Sequence, residues 1–134
     1  MSLSLYLLLS NRKIGEDAAL HELSIAQNLI EVATTAAASA HAIRVSAVVL
    51  KLGALSGVAK DALLFGYDIA SAGTLLEGSR LEIEEVPATV FCTQCQAERI
   101  LDDIQDFRCP VCGTPTSQIV RGREIELVSL TVED

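Results

Sequence analysis

The stretch Cys92-Thr93-Gln94-Cys95, answered downstream by Cys109-Pro110-Val111-Cys112, holds every cysteine of the chain. Each C-x-x-C pair can place two sulfurs on one tight turn, and two such turns joined by residues 96–108 close a tetrahedron of thiolates. That is the donor set Zn²⁺ prefers, so Cys92, Cys95, Cys109 and Cys112 read as a zinc site. The only imidazoles are His21 and His41, both distant in sequence. A closed four-thiolate shell leaves no position for a substrate, which makes the zinc structural. The alternative is a pair of redox dithiols or disulfides. A redox C-x-x-C opens a helix after a strand, whereas Pro110 and Gly113 make tight turns here.

Working outward, residues 99–104 and 106–108 can pair as a hairpin between the two turns. Residues 124–132 are too apolar for a small zinc module. Ile125 and Leu127 keep one phase, then Val128, Leu130 and Val132 take the other. A bulge near Leu127, or a strand covered on both faces, accounts for the change. This strand is expected to join two earlier ones. Residues 80–86 alternate, with Leu81 and Ile83 inward and Glu82 and Glu84 outward. In residues 43–52, Ile43, Val45, Ala47 and Val49 fall on one face and Val48, Leu50 and Leu52 on the other. Glu77, Glu82, Glu84 and Glu85 read as a solvated face, since the alternation explains them.

Two helices complete the pattern. Ser24 and Gln27 form a capping box, and Ile25, Ala26, Leu29, Ile30, Ala33, Ala36, Ala37 and Ala40 recur at helical spacing over residues 24–40. His41 closes that helix as a cap residue at its negative end. His21 and Glu22 stand just before it; they offer a nitrogen and an oxygen to a borderline metal, though a solvated loop pair is the default. A second helix spans residues 58–72, with Ser56 as its cap. Leu63, Leu64, Tyr67 and Ala70 form its stripe, Phe65 and Ile69 widen it, and Gly73 ends it. The expected fold is α+β: two helices packed on a three-stranded sheet, with a small four-cysteine zinc domain inserted before the last strand. The domains are residues 20–88 with 122–134, and residues 89–121.

The totals exclude several functions. The chain has 134 residues and a formal net charge of −8, which argues against nucleic acid as a partner, because that affinity rests on Lys and Arg at phosphates. No apolar run approaches the roughly 18 residues of a membrane span. Paired metal-type cysteines fit a reducing cytoplasm. Residues 1–19 form an N-terminal extension, either added sequence or the product of a misassigned start. Its apolar run precedes Asn11, Arg12 and Lys13, the reverse of a secretory signal. Residues 3–9 are greasy enough to pack against something, and a homodimer through them is expected.

With these residues in view, residues 20–132 resemble the HypA/HybF family of hydrogenase-maturation nickel metallochaperones. His21-Glu22-Leu23-Ser24 is similar to the family's N-terminal Met-His-Glu segment. Lys51-Leu52-Gly53-Ala54-Leu55-Ser56 resembles its K-[IL]-G-x-[LF]-S turn. Phe65, Tyr67-Asp68 and Gly73-Thr74 look like its F-x-[FY]-D and G-T positions, and the cysteine pairs have its spacing and order. The resemblance implies a non-enzymatic protein that binds Ni²⁺ through His21 and Glu22. It implies delivery, with a GTPase partner, to the large subunit of [NiFe] hydrogenase, or in some members to urease. Nitrogen donors from imidazole and backbone amides suit square-planar Ni²⁺. Two positions depart from the pattern. Leu20 occupies the place of the initiating Met, whose free amine can be a ligand in the family. Ala59 stands where the family often has a further carboxylate. The rival readings are a zinc-ribbon protein-interaction adaptor without nickel transfer and a zinc hydrolase. The first in its nucleic-acid form needs a basic face where residues 98–106 are acidic, and the second needs an open metal position and a base.

Overall fold

A computed structural model of the chain describes residues 4–14 and 22–133. The elements run β1 (Ser4–Lys13), α1 (Glu22–Ser39), β2 (Arg44–Gly53), α2 (Lys60–Ser71), β3 (Arg80–Val86), β4 (Thr89–Cys92), β5 (Ala97–Ile100), β6 (Ile119–Arg121) and β7 (Ile125–Glu133). They build an α+β structure with two sheets, one ordered β1-β7-β2-β3 and the other β5-β4-β6.

The three strands expected to share a sheet do so: β2 runs parallel to β3 and antiparallel to β7. The sheet has four strands rather than three, because β1, from the extension, pairs antiparallel with β7 on its other edge. Part of the greasy run therefore packs within its own chain. Leu7 and Leu9 turn in toward the core, while Tyr6 and Leu8 stay 62% and 73% exposed. Alternation along a strand forces this division.

The phase change in β7 is a bulge. Leu127 lies opposite Leu50 and Ser129 opposite Val49, so Val128 has no partner on β2. The extra residue lets Leu127 and Leu130 both enter the core, as a bulge re-aims side chains. A second shift, between Val45 and Ala47, changes the expected faces of β2. Val45 joins Val48, Leu50 and Leu52 on the core side instead of opposing them.

Helix α1 begins at Glu22, so Ser24 lies inside its first turn rather than capping it. Its buried stripe of Ile25, Ala26, Leu29, Ile30, Ala33, Ala36 and Ala37 is rich in alanine, which lets α2 come close. A side chain added at Gly66 of α2 would meet the Leu23 Cα at 3.4 Å. The C-terminus closes with the Ala42 N–H donating to the Ala37 carbonyl (3.0 Å) and the His41 N–H to Ala38 (3.0 Å). His41 sits between them at φ 57, the left-handed position usually given to glycine. Helix α2 buries Leu63, Gly66, Tyr67 and Ser71. Phe65 and Ile69 do not widen that stripe; they are exposed. Both helices and the inner face of the larger sheet enclose one core.

The smaller sheet lies in the chain between β3 and β7. The hairpin expected between the cysteine turns is absent among the described residues. Instead β5 folds straight back on β4, pairing Cys92 with Ala97 and Val90 with Arg99. The first cysteine turn is itself the reversal that brings these strands together, which leaves residues 101–118 with a single isolated bridge, Arg108 to Pro115. Ala88, Val90 and Leu101 are the buried centre of this sheet, with Phe107, Ile119 and Leu55 packed around them. Leu55 comes from the turn after β2, so the motif of residues 51–56 plugs one sheet into the other. The backbones cross there without side chains: a Cβ on Gly53 would stand 2.1 Å from the Gly122 carbonyl oxygen. The Leu55 N–H donates to that oxygen at 2.6 Å, and the Gly53 N–H donates to the Glu124 carbonyl at 2.7 Å.

Candidate metal centre

Strand β4 ends on Cys92, and the turn that follows returns Cys95 beside it. The second turn, over residues 109–112, is held by the Gly113 N–H donating to the Cys109 carbonyl (2.8 Å) and by the Cys109 N–H donating to the Thr114 carbonyl (2.9 Å). The two turns share a geometry. In each, the residue after the second cysteine is left-handed, Gln96 at φ 53 and Gly113 at φ 78. In each, a backbone N–H reaches the first sulfur: Cys95 to Cys92 at 3.4 Å, and Cys112 and Val111 to Cys109.

The four sulfurs converge, all within 4.8 Å of one another. Cys92 lies 3.5 Å from Cys112, and Cys95 lies 3.9 Å from Cys109. A disulfide needs sulfurs about 2 Å apart, so all four thiols are free. Tetrahedral coordination at about 2.3 Å from a central ion puts neighbouring sulfurs about 3.8 Å apart, close to both measured pairs. Cys92 and Cys109 are buried, Cys95 is half-buried and Cys112 is exposed.

Two further observations fit a cation at the centre. The thiols compete for protonation. Cys109 is drawn down to about 6, chiefly by the Cys112 backbone N–H. Cys95 is driven up to about 11; Arg99 is the largest influence on it and lowers it, but the other thiols, led by Cys112, outweigh that. A shared divalent ion removes the conflict, since it favours the thiolate at every position. In addition, Arg99 stands opposite Val90, on the face of the small sheet that also carries Cys92, and its Nε is buried without an acceptor among the described residues. A cation with donors to spare belongs beside an anionic thiolate shell. Cys92, Cys95, Cys109 and Cys112 form the only such cluster of potential metal ligands among the described residues.

His21, the other predicted metal residue, lies outside the described residues. Glu22 is the first residue of α1, and its carboxylate Oε1 accepts from the Ala59 N–H at 3.2 Å. Ala59 is the N-cap of α2 and offers no side-chain cap of its own. Glu22 therefore does this for it, placing a negative charge at the positive end of the helix. The two positions singled out in sequence, 22 and 59, are thus neighbours in space. Sequence reasoning missed Arg99. The signal that could have found it is a basic residue four positions after Cys95, in an otherwise acidic stretch.

An α+β unit with a four-cysteine site carried between its last two core strands defines a small metal-binding protein. Similarity to known proteins narrows the class. The family model described as hydrogenase/urease nickel incorporation, metallochaperone, hypA matches residues 20–132. The hydrogenase maturation factor HypA of Roseiflexus sp. (strain RS-1) is 58% identical over 115 residues, covering 86% of this chain and 94% of that protein. The factor of the same name from Chloroflexus aurantiacus (strain ATCC 29366 / DSM 635 / J-10-fl) is 55% identical over 111 residues, covering 83% and 97%. The solution structure of the Ni metallochaperone HypA from Helicobacter pylori shares the fold at a TM-score of 0.58 and 22% identity, covering 83% of this chain and 96% of that one. The chain belongs to the HypA family of nickel-incorporation metallochaperones.

Proposed function

We propose that this chain binds Ni(II) and, with a GTPase partner, delivers it to the large subunit of [NiFe] hydrogenase during maturation. The observation that carries this reading is the family match across residues 20–132, whose members hold the maturation-factor name at up to 58% identity. The reading assigns Zn(II) to Cys92, Cys95, Cys109 and Cys112 as a structural ion, and the transported nickel to His21 and Glu22. It divides the chain into a nickel unit, residues 20–88 with 122–134, and a zinc unit, residues 89–121. The role is carriage rather than catalysis, in the cytoplasm. A closed four-thiolate shell suits a permanent ion; an imidazole and a carboxylate at the start of a helix suit one that is handed on.

The test is nickel titration with the cysteine site already zinc-loaded, followed by calorimetry and the absorbance of planar nickel. The full chain should bind weakly, because the peptide amide at Leu20 is a poorer donor than a free amine. A chain starting with Met in place of Leu20 should bind more tightly, and His21→Ala should abolish that gain. Ala59→Asp should strengthen binding further, because it sets a second carboxylate beside Glu22. Tight binding that survives His21→Ala removes the nickel assignment.

The same reading includes a homodimer through residues 3–9. Strand β1 is an edge of its sheet, so its outer backbone edge can pair with a second copy, and Tyr6 and Leu8 add exposed apolar surface beside it. Light scattering at rising concentration should give twice the chain mass, and Leu8→Lys should return it to the single-chain value. A single-chain mass throughout ends the dimer proposal.

A further inference from the structure

Both helices pack on one face of the larger sheet. Cross-strand partners share a face, so the strand registers give the opposite, outer face row by row. One row runs Tyr6, Thr131, Ala47, Arg80, and the next Leu8, Ser129, Val49, Glu82. A third runs Lys13, Glu126, Lys51, Glu84. None of these residues belongs to the core that the helices close. Tyr6 and Leu8 are exposed at one flank. At the other, Arg80 and Glu82 pair at 3.3 Å and are exposed as well. The middle of the face carries short side chains, of which Ala47 and Ser129 are buried.

The third row alternates in sign across the sheet, and read backwards it changes sign at every place. That property has an effect where the face meets a copy of itself. A two-fold axis along the strands, between β7 and β2, lays β1 of one copy over β3 of the other and β7 over β2, with each row over itself. Lys13 then meets Glu84 of the second copy, Glu126 meets its Lys51, and the reverse pairs complete the row. Tyr6 comes over Arg80 of the second copy, a cation on an aromatic face, and Leu8 over the stem of Glu82. In the middle, Thr131 meets Ala47 and Ser129 meets Val49, small enough for two sheets to close to the roughly 10 Å of aligned packing. An axis across the strands lays the third row over the first and leaves Glu126 and Lys51 facing Thr131 and Ala47, without opposite charges. A cavity of about 500 Å³, lined by Lys13, Arg121, Arg123 and Glu126 among others, adjoins the Lys13 end of the row. It leaves room there for the carboxylate of Glu84 of the second copy.

We propose that the outer face of the larger sheet is the interface of a two-fold dimer of this chain, with the row Lys13, Glu126, Lys51, Glu84 setting its register. The assignment rests on the reading that a second copy engages residues 3–9, and it specifies the side-chain face as the contact in place of the backbone edge of β1. Charges at such an interface fix partner and orientation, while the apolar contacts of Tyr6, Leu8 and Val49 hold it together. Four strands of this length present about 500 Å² per copy, the low end for a specific pair, so the dimer dissociates on dilution.

The experiment uses the full chain loaded with zinc. One variant makes the row negative throughout, Lys13→Glu with Lys51→Glu; a second makes it positive throughout, Glu84→Lys with Glu126→Lys. Helical circular dichroism checks each fold. Light scattering over a concentration series should show each variant alone dimerising about 10-fold more weakly or worse. An equimolar mixture should recover the dimer as a mixed pair in native mass spectrometry, which a loss of folding in either variant cannot produce. In the unchanged chain, carbodiimide applied to mixed light- and heavy-isotope copies should join Lys51 to Glu126 across copies. If both variants dimerise like the unchanged chain, the face is not the interface and pairing runs through the edge of β1. The proposal falls equally if the mixture of folded variants recovers nothing, or if the dimer forms without the Lys51–Glu126 link across copies. A single-chain mass for the unchanged protein at every concentration removes the dimer reading itself, a result distinguishable from the others.

Discussion

Gly53→Ala is expected to lower stability by about 3 kcal/mol or more, at the upper end of overpacking effects. For a chain of this length that amounts to a loss of roughly 10 °C in Tm. A Cβ at residue 53 would stand 2.1 Å from the Gly122 oxygen and 2.7 Å from the Arg123 nitrogen. Both obstacles are backbone, so no rotamer change relieves the clash. The same crossing carries the Leu55 and Gly53 N–H bonds and the packing of Leu55 on the small sheet, so the strain falls on both sheets at once. Gly73→Ala is the matched control. Gly73 has open space around it but a φ of 77, so it should cost only about 1–2 kcal/mol of backbone strain. Melting temperatures within a degree or two of each other would show that the crossing tolerates a side chain.

The second large effect is expected from Cys109→Ser. The variant should lose its metal and the order of residues 89–121, while keeping most of its helical circular dichroism. The small sheet explains why. Its buried apolar centre is Ala88, Val90 and Leu101. Full burial of a side chain of valine or leucine size gives about 1.5–3 kcal/mol, whereas fixing one residue's backbone costs about 1–2 kcal/mol. Two such side chains and an alanine cannot order a segment of this length, and the free energy of metal binding makes up the difference. The helices draw on the other core, so they should survive. Elemental analysis and amide exchange across residues 89–121 check both halves. Metal-free protein with that segment still protected would refute this account of its stability.

Several of these features are legible in the order of the amino acids. The cysteine cluster is legible because ligand spacing is a local property of two turns. The alternation of Arg80 to Val86 and the alanine stripe of α1 are legible for the same reason. The phase change in β7 is legible as either a bulge or a strand covered on both faces, and the pairing with β2 decides for the bulge. What escapes is set by partners distant in sequence. Nothing in Val45 or Ala47 signals the register shift against β7. Phe65 and Ile69 fit a helical stripe by spacing, yet the close approach of α1 at Gly66 rotates α2 so that they face outward. Residues 4–13 become a strand because β7 presents them an edge, and no local pattern specifies that edge. Arg99 escapes because its place on the face shared with Cys92 appears only once β5 lies against β4.

The position of β7 also governs the order in which the molecule can be made. It follows every other described strand in the chain, yet it lies between β1 and β2. Until it arrives, β1 has no strand to pair with, and β2 and β3 form a ribbon of two parallel strands. Such a ribbon is slow to form, because loop closure must precede any gain from its contacts. The larger sheet is therefore completed only when β7 is placed between β1 and β2. Residues 87–124 must first be drawn together, and capture of a metal by four cysteines shortens that loop before β7 docks. Cellular metal supply then acts on the yield of folding as well as on the finished protein.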